Sequence, residues 1–294
     1  LLQAIGDDKL QDTFRTTLKS FYGALKSKDD CIKFAMLTGV TKFGKVSVFS
    51  DLNNLKDISL DNRYYNLCGI DEDELRGVLT PYVQRLASVQ KISLDKAYSE
   101  LKRNYDGYHF SEDAPGMYNP FSVLNTLDNL KFGNYWFETG TPSYLVELMQ
   151  DQDMKLWNIT KKLVSSDVLN SVDIATTEPI SVIFQSGYLT IKGYKNEYDG
   201  YLLGFPNEEV KRGFLRYLIP RYTSVRPSDT AFEIESFVEE VKGGDISGFM
   251  TRLESFFANV PYDLIKDTEN HYQNVLFILC NLCGLYTKAE FHTS

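Results

Sequence analysis

The sequence contains few of the residues that build metal centres, redox sites and hydrolytic sites. It has four cysteines and three histidines among 294 residues. Cys280 and Cys283 form a single C-x-x-C without a second pair, whereas tetrahedral zinc needs four ligands. Because the pair follows the apolar stretch VLFIL, we interpret it as buried, reduced cysteines at a helix end, with a metal or redox pair as the alternative. The histidines are scattered and no nucleophile motif lies near them, so the sequence supports no hydrolytic triad.

Positive charge and long apolar runs are also scarce. Asp and Glu number 40 against 31 Lys and Arg, which gives a net charge of −9. This balance argues against a nucleic-acid footprint over the whole surface but leaves room for a local basic patch. No apolar run reaches the roughly 18 residues that a membrane helix requires, and no secretion signal is recognisable. We therefore expect a cytoplasmic protein without a membrane partner.

The N-terminal part has the pattern of an α/β fragment. Its length and composition, 43% apolar and 24% charged, suit a globular protein of about two domains. Residues 7–28 space their apolar side chains along one face, which predicts a helix with a buried stripe. Residues 31–38 form a continuous apolar run that is typical of a strand covered on both faces. Together they predict part of a parallel sheet, and one strand cannot form a sheet alone.

Helices dominate the rest of the chain, with a short strand region in the middle. There, SVIFQSGYLTIKGY passes from a helical pattern to an alternating strand, and YLLGFPN follows after a Gly/Asn/Asp turn. Helices followed by such a two-stranded wing resemble a winged-helix module. LYTKAEF near the end predicts a last strand. The predicted helices occupy 71–104, 119–130, 142–149, 208–219, 228–259 with a break at Gly243-Gly244, and 269–282.

The loop after the first apolar run nearly matches a phosphate-binding motif. In LTGVTKFGKV, Gly39, Gly44 and Lys45 satisfy seven positions of G-x-x-x-x-G-K-[ST], but Val46 stands where a hydroxyl would bind Mg²⁺. The following VSVF favours a strand over the helix N-terminus that would hold a phosphate. No later strand ends in an acid that could hold the metal.

A second interpretation makes this loop the polar tip of an internal strand. Thr38, Thr41 and Lys42 would then face a nucleotide at the carboxyl end of a sheet. Threonine can orient a phosphate or a water there, and lysine supplies positive charge. A strand-ending turn without any ligand is the third interpretation, and the sequence leaves it open.

Two further groups of residues are candidates for chemistry. A basic helix beside the predicted wing could contact nucleic-acid phosphates, with a solvated helix face as the alternative because Glu208 and Glu209 dilute its charge. Glu269 at a helix start and Glu290 in the last strand are acids of the kind that metal nucleases use. A helix-end acid and a surface residue are the alternatives for these two. The cations of the basic helix that we select are Lys211, Arg212 and Arg216.

Several strings in the chain, taken together, resemble one large bacterial family that is common in gut Bacteroidetes. Its members are usually described as AAA-ATPase-like proteins, and they carry a C-terminal nuclease domain of the PD-(D/E)XK type. The motifs keep their order and extend over nearly the whole chain. They are LTGVTKFGKVSVFSDLNNLKDIS, YDGYHF, MYNPFSVLNTL, YWFETGTPSYL, FQSGYLTIKGY and FPNEEV.

The resemblance implies a division of the chain into three parts. Residues 1–150 would be the distal part of an AAA-ATPase-like domain, in which 33–42 is a later strand of the sheet and Thr38, Thr41 and Lys42 sense the nucleotide. Residues 151–226 would be the winged-helix-like module. Residues 227–294 would hold linker helices and the opening of the nuclease domain, where Glu269 matches its helix acid and Glu290 lies in its first strand.

The expected fold is therefore mainly α with an α/β part: an incomplete P-loop-NTPase-like module, a winged-helix-like middle and the start of a nuclease fold. We expect the chain to be a catalytically inactive scaffold or regulatory portion of a nucleotide-regulated, nucleic-acid-directed ATPase-nuclease. No cofactor or metal is expected for the chain itself, and ATP and Mg²⁺ are implied for full-length relatives. The alternatives are a winged-helix binder of DNA or RNA and a protein-interaction module.

Overall fold

The computed structural model describes most of the chain as a helical protein with one small antiparallel sheet of three strands. Helices with a sheet were expected, and this coarse description of the fold is confirmed. The described residues are 8–39, 55–137, 145, 149, 154–160, 162–170, 179–223, 225–258 and 268–285.

The N-terminal helix is present, but its surroundings differ from the prediction. Helix α1 (Asp8–Ser27) confirms the helix predicted over 7–28. Its apolar stripe was expected to be buried, yet 45% of Phe14 and 69% of Phe21 are exposed. The strand predicted at 31–38 is also wrong: residues 32–39 form no strand, and Phe34 is 81% exposed. A strand needs hydrogen bonds from a neighbour, and the described part of the chain places none beside this segment.

Four helices form a unit that we call the helical unit, residues 70–132. They are α2 (Glu72–Arg76), α3 (Thr80–Gln90), α4 (Leu94–Tyr105) and α5 (Pro120–Asn129). Each of three starts has a side-chain cap, because Asp71, Ser93 and Asn119 accept hydrogen bonds from backbone N–H groups of the first turn. The apolar faces meet in one core around Leu75, Leu86, Leu101, Tyr105 and Val123. The helices predicted for 71–104 and 119–130 are thus confirmed.

The sheet follows, with two helices inserted after its first strand. Its elements are β1 (Leu163–Ser165), α6 (Ser166–Asn170), α7 (Pro179–Gln185), β2 (Thr190–Lys195) and β3 (Gly200–Gly204). The strand order is β1-β3-β2 and both pairings are antiparallel. The hairpin of β2 and β3 confirms the predicted wing strands, and Asp199 turns it with a φ of 45°. Strand β1 has only three residues and was not predicted.

Four helices complete the chain's described part. They are α8 (Glu208–Tyr222), α9 (Thr230–Gly243), α10 (Ile246–Ala258) and α11 (Thr268–Leu282). Their predicted positions are confirmed, including the break after Gly243, where Gly244 adopts a φ of 71°. Asn274 on α11 ties the 154–158 segment to this group, because its amide donates to Met154 O at 3.0 Å and accepts from Leu156 N at 2.8 Å.

The packing of these helices with the sheet forms the larger of the two apolar cores found among the described residues, and this core includes Leu156, Ile183, Leu203, Phe214 and Leu279. None of the described helices is long and apolar enough to cross a membrane. The three specific folds and the boundaries at 150 and 226 stay predictions. The predicted last strand lies outside the described residues.

Candidate functional site

Five of the six sequence motifs meet where the helical unit contacts the sheet and the start of α8. We call this contact the joint. At its edge, Lys192 on β2 reaches across and its Nζ donates to the carbonyl oxygens of Gly107 and Pro206, both at 3.3 Å. Burial lowers the pKa of Lys192, and Asp106 opposes this shift. The lysine therefore acts as a tether between three segments.

A second connection in the joint is reciprocal. The hydroxyl of Thr190 accepts a hydrogen bond from His109 N at 2.7 Å and donates one to His109 O at 3.1 Å. This pattern imitates a pair of strand hydrogen bonds between segments 81 residues apart. The imidazole Nδ1 of His109 lies 2.9 Å from Ala114 O. This contact connects the YDGYHF motif, which contains His109, to the turn that follows it.

A buried carboxylate closes the joint. Glu209 lies in the first turn of α8 and is 2% exposed. One oxygen accepts a hydrogen bond from Ser122 Oγ at 2.7 Å and the other accepts from Trp136 N at 2.9 Å. Such charge-assisted bonds contribute about 1.5–3 kcal/mol each. Because both oxygens bind structural donors, the residue holds α5, the segment at Trp136 and α8 together.

Two of the three predicted basic residues lie on the exposed side of α8. Arg212 and Arg216 are exposed and stand four residues apart, so they share one helix face. Arg212 pairs with Glu208, Nε to Oε2 at 3.3 Å. Lys211 is half-buried, and neither it nor Arg216 has an ion-pair partner among the described residues. The three predicted cations thus lie on one helix, and two of them have no ion-pair partner within the part of the chain that the structure describes.

A cleft of about 430 Å³ opens beside this helix, between α3, α4, the 132–134 segment and α8. Glu100 stands in its wall and pairs with two cations, Lys96 Nζ at 2.8 Å and Arg103 Nη2 at 2.5 Å. These two cations, Lys96 first, hold the pKa of Glu100 below its usual range. The residues that line the cleft are Gln90, Ile92, Lys96, Glu100, Arg103, Asn104, Tyr105, Phe132, Gly133, Asn134 and Arg212.

Sequence reasoning missed this cleft and found only Arg212 in it. The other cations sit in α4, within a pattern that reads as an ordinary amphipathic helix. Contact between α4 and α8 brings these cations close to Arg212, and the spacing of residues along the sequence does not predict that contact. The alternation of Lys96, Glu100 and Arg103 at helical spacing was the available signal, and it is equally typical of a solvated helix face.

Of the remaining predicted site residues, the structure describes only Thr38 and Glu269. Thr38 is exposed in the segment that follows the 3-10 turn at Asp29–Cys31, and Thr41, Lys42 and Glu290 lie outside the described residues, as does the loop with Lys45. Glu269 is exposed in the first turn of α11, where it accepts a hydrogen bond from Gln273 Nε2 at 3.1 Å. The part of the chain that the structure describes contains no group of three or more His, Cys, Asp or Glu residues suited to a metal.

The cysteines are all free thiols. Cys31 and Cys68 are exposed, whereas Cys280 and Cys283 are half-buried at the end of α11. Burial raises the pKa of both half-buried thiols, that of Cys283 to about 11. A thiol with so high a pKa is a poor nucleophile near neutral pH. The predicted position at a helix end is confirmed, and the burial is partial.

Comparison with known proteins bears on the N-terminal segment and on the whole length. Residues 1–49 match a family described as predicted AAA-ATPase. The chain is 32% identical over 287 residues, 95% of its length, to an uncharacterized protein in the vnfD 5′ region of Azotobacter chroococcum mcd 1. It covers 53% of that relative, about half of the relative's length. No solved structure matches. The resemblance to AAA-ATPase-like proteins is thus supported, and the nuclease domain stays a prediction.

Proposed function

We propose that this chain is the nucleic-acid-directed, regulatory portion of an ATPase-related protein, and that it binds rather than catalyses. The match of residues 1–49 supports the ATPase relation, and the relative of about twice the length is compatible with further domains such as the nuclease. In that setting Glu269 would be the helix acid of a nuclease domain, and ATP and Mg²⁺ would act in the whole protein.

The observation that carries the nucleic-acid part is the exposed cation group of α8. Arg212 and Arg216 are exposed and Lys211 is half-buried on a helix beside a cleft that adds Lys96 and Arg103. These five cations meet two carboxylates, Glu100 and Glu208, on a chain whose net charge is −9. Because cations that lie near one another on an acidic protein, as Lys96, Arg103 and Arg212 do in the cleft, focus the local potential, phosphate is the anion that we expect there.

The topology of the middle region supports a winged-helix-like module. Strand β1, two helices and the β2–β3 hairpin follow one another, and β3 lies between the other two strands. In such modules the helix before the hairpin usually enters the major groove. Here that helix is α7, in which residues 179–183 are all buried. The contact with nucleic acid is therefore assigned to α8, after the wing.

Fluorescence anisotropy with labelled single-stranded DNA, duplex DNA and RNA at about 50 mM salt tests this proposal. The affinity should fall as salt rises, and Arg212→Ala and Arg216→Ala should each lower the salt slope by about 1. Arg63→Ala is the matched control, because that exposed arginine also pairs with a carboxylate, Asp61 at 2.6 Å, and it should change nothing.

Two results would contradict the proposal. Absence of binding to all three probes at low salt would remove the nucleic-acid part. Mg²⁺-dependent ATP hydrolysis by the chain, abolished in Lys45→Ala, would remove the claim that the chain itself does not catalyse.

A protein partner is the second candidate, and the exposed face of α1 favours it. Phe14, Leu18 and Phe21 follow helical spacing and are 45%, 37% and 69% exposed. Large apolar side chains aligned on one exposed helix face are typical of an interaction surface. This face belongs to the segment that matches the predicted AAA-ATPase family, so the partner would be another part of an ATPase assembly.

A further inference from the structure

The cleft beside α8 supports an inference that rests on the proposed function and makes it more specific. We infer that the cleft is the subsite for one nucleotide unit of a bound strand. The phosphate would lie between Arg103 and Arg212, and the base would lie against Phe132. Nucleic acid would thus be held at a defined pocket as well as by the diffuse charge of α8.

The two arginines are suited to share one phosphate. They come from different helices, α4 and α8, that contact each other, and both line the cleft. Each side chain is 51% exposed and uses one guanidinium nitrogen in its ion pair, Nη2 of Arg103 with Glu100 and Nε of Arg212 with Glu208. A guanidinium has five N–H donors in a planar fork, so both keep donors for a phosphate oxygen.

Glu100 pairs with two cations of the cleft and therefore competes with a phosphate for them. Its two oxygens bind Lys96 and Arg103 separately at the wall of the cleft. The same carboxylate is a resident negative charge that repels an incoming phosphate. Affinity should therefore rise when Glu100 loses its charge but keeps its shape, which is an effect that damage to the fold cannot produce.

The other wall of the cleft is suited to a base. Phe132 and Ile92 are half-buried apolar residues in the lining, and an aromatic ring is the usual platform for a base of a single strand. Asn104 donates to Glu100 O at 2.8 Å, whereas the amide of Asn134 makes no hydrogen bond within the described residues. Asn134 is thus the polar group left for a base edge. The volume lies in the range of small-ligand sites, about 300–1,000 Å³.

This ring beside the cations favours a nucleotide over an acidic peptide. A carboxylate-bearing segment would use the arginines in the same way but would gain nothing from stacking on Phe132. A polyglutamate peptide as unlabelled competitor separates the two classes. If it displaces a labelled strand as well as unlabelled strand does at equal charge, the nucleotide assignment is overturned.

The deciding experiment measures binding of a short labelled single-stranded oligodeoxynucleotide by the intact chain and its variants. Phe132→Leu should weaken binding by about fivefold or more, the low end of a lost base stack, and Asn134→Ala should weaken it by about three- to tenfold, as expected for one lost hydrogen bond. Glu100→Gln should tighten it by about three- to tenfold and steepen its salt dependence. Arg216→Ala, which lies outside the cleft, reports on α8 alone.

The two proposals fail differently in this experiment. If Arg216→Ala weakens binding while Phe132→Leu, Asn134→Ala and Glu100→Gln leave it within twofold of the wild-type value, the cleft inference is overturned and the proposed function stands. If the wild-type chain binds no strand, the proposed function falls and the inference falls with it. Melting temperatures of all variants identify any loss of affinity that follows from unfolding.

Discussion

Gly107 at the joint allows the sharpest test of the structure. Its φ is 106°, a backbone conformation that L side chains rarely adopt. A Cβ atom built on it would lie 2.3 Å from Pro206 O, well inside the 3.0 Å that real Cβ atoms respect. The same carbonyl oxygen accepts the hydrogen bond from Lys192 Nζ. Gly107→Ala therefore strains the backbone and pushes apart two of the three segments that the lysine tethers.

The magnitude follows from these two effects. A non-glycine residue held at such a φ costs about 1–3 kcal/mol, and overpacking against a fixed neighbour costs about 1–3 kcal/mol more. Because the backbone around Pro206 can relax in part, we expect the free energy of unfolding to fall by about 2–5 kcal/mol. This exceeds the roughly 1 kcal/mol that a typical point substitution costs.

Urea unfolding followed by tryptophan fluorescence is a suitable assay, because Trp136 packs at the joint against the larger core and Trp157 is only 1% exposed. With a slope of about 2–3 kcal/mol/M, the midpoint should drop by about 1–2 M. Gly23→Ala is the matched control: it lies within α1 with no atom within 4 Å of the new Cβ, and it should be neutral or stabilising by up to about 1 kcal/mol. A Gly107→Ala midpoint equal to the wild-type value would refute the described joint.

Two further predictions concern the thiols and the face of α1. At pH 8, the thiol reagent DTNB should label the exposed Cys31 and Cys68 quickly and the α11 pair slowly. The slow labelling rate should rise as the pH approaches the Cys283 pKa of about 11. Four equally fast thiols would contradict the burial at the end of α11. If the face of α1 binds a second copy of the chain, sedimentation should show a mass that grows with concentration, and Phe21→Asp should remove this growth without lowering the melting temperature. A concentration-independent mass would exclude self-association.

The sequence allowed accurate prediction where structure is local. The helices from 71 onward carry caps such as Asp71 and Ser93, and the hairpin carries its turn residues, so these elements could be placed from pattern alone. The strand predicted at 31–38 failed because an apolar run specifies burial only if a partner surface exists, and periodicity contains no information on the partner. Strand β1 was missed since three residues, Leu163–Ser165, are too few for a recognisable alternation.

The candidate site shows the same limit more strongly. Lys211, Arg212 and Arg216 were identified because they lie within six residues of one helix. Arg103 and Asn134 join Arg212 only through the packing of α4, the 132–134 segment and α8, so no spacing rule could select them. Five of the six sequence motifs, including FPNEEV with Glu209, proved to lie at the joint, where they connect the helical unit to the sheet and α8. Their unusual residues reflect buried polar contacts and tight turns in the joint.

The hydrogen bonds of the joint also have a consequence for synthesis on the ribosome. Thr190 is 81 residues after His109, and Glu209 is 87 residues after Ser122. At a translation rate of about 5–20 residues per second, His109 and Ser122 are synthesised about 4–17 s before these partners. During that interval the hydroxyl of Ser122, which is fully buried in the folded chain, lacks the carboxylate of Glu209 to which it donates. The nascent helical unit must therefore persist without the contacts that the joint later provides, and α8 completes them when Glu209 binds Ser122 and Trp136.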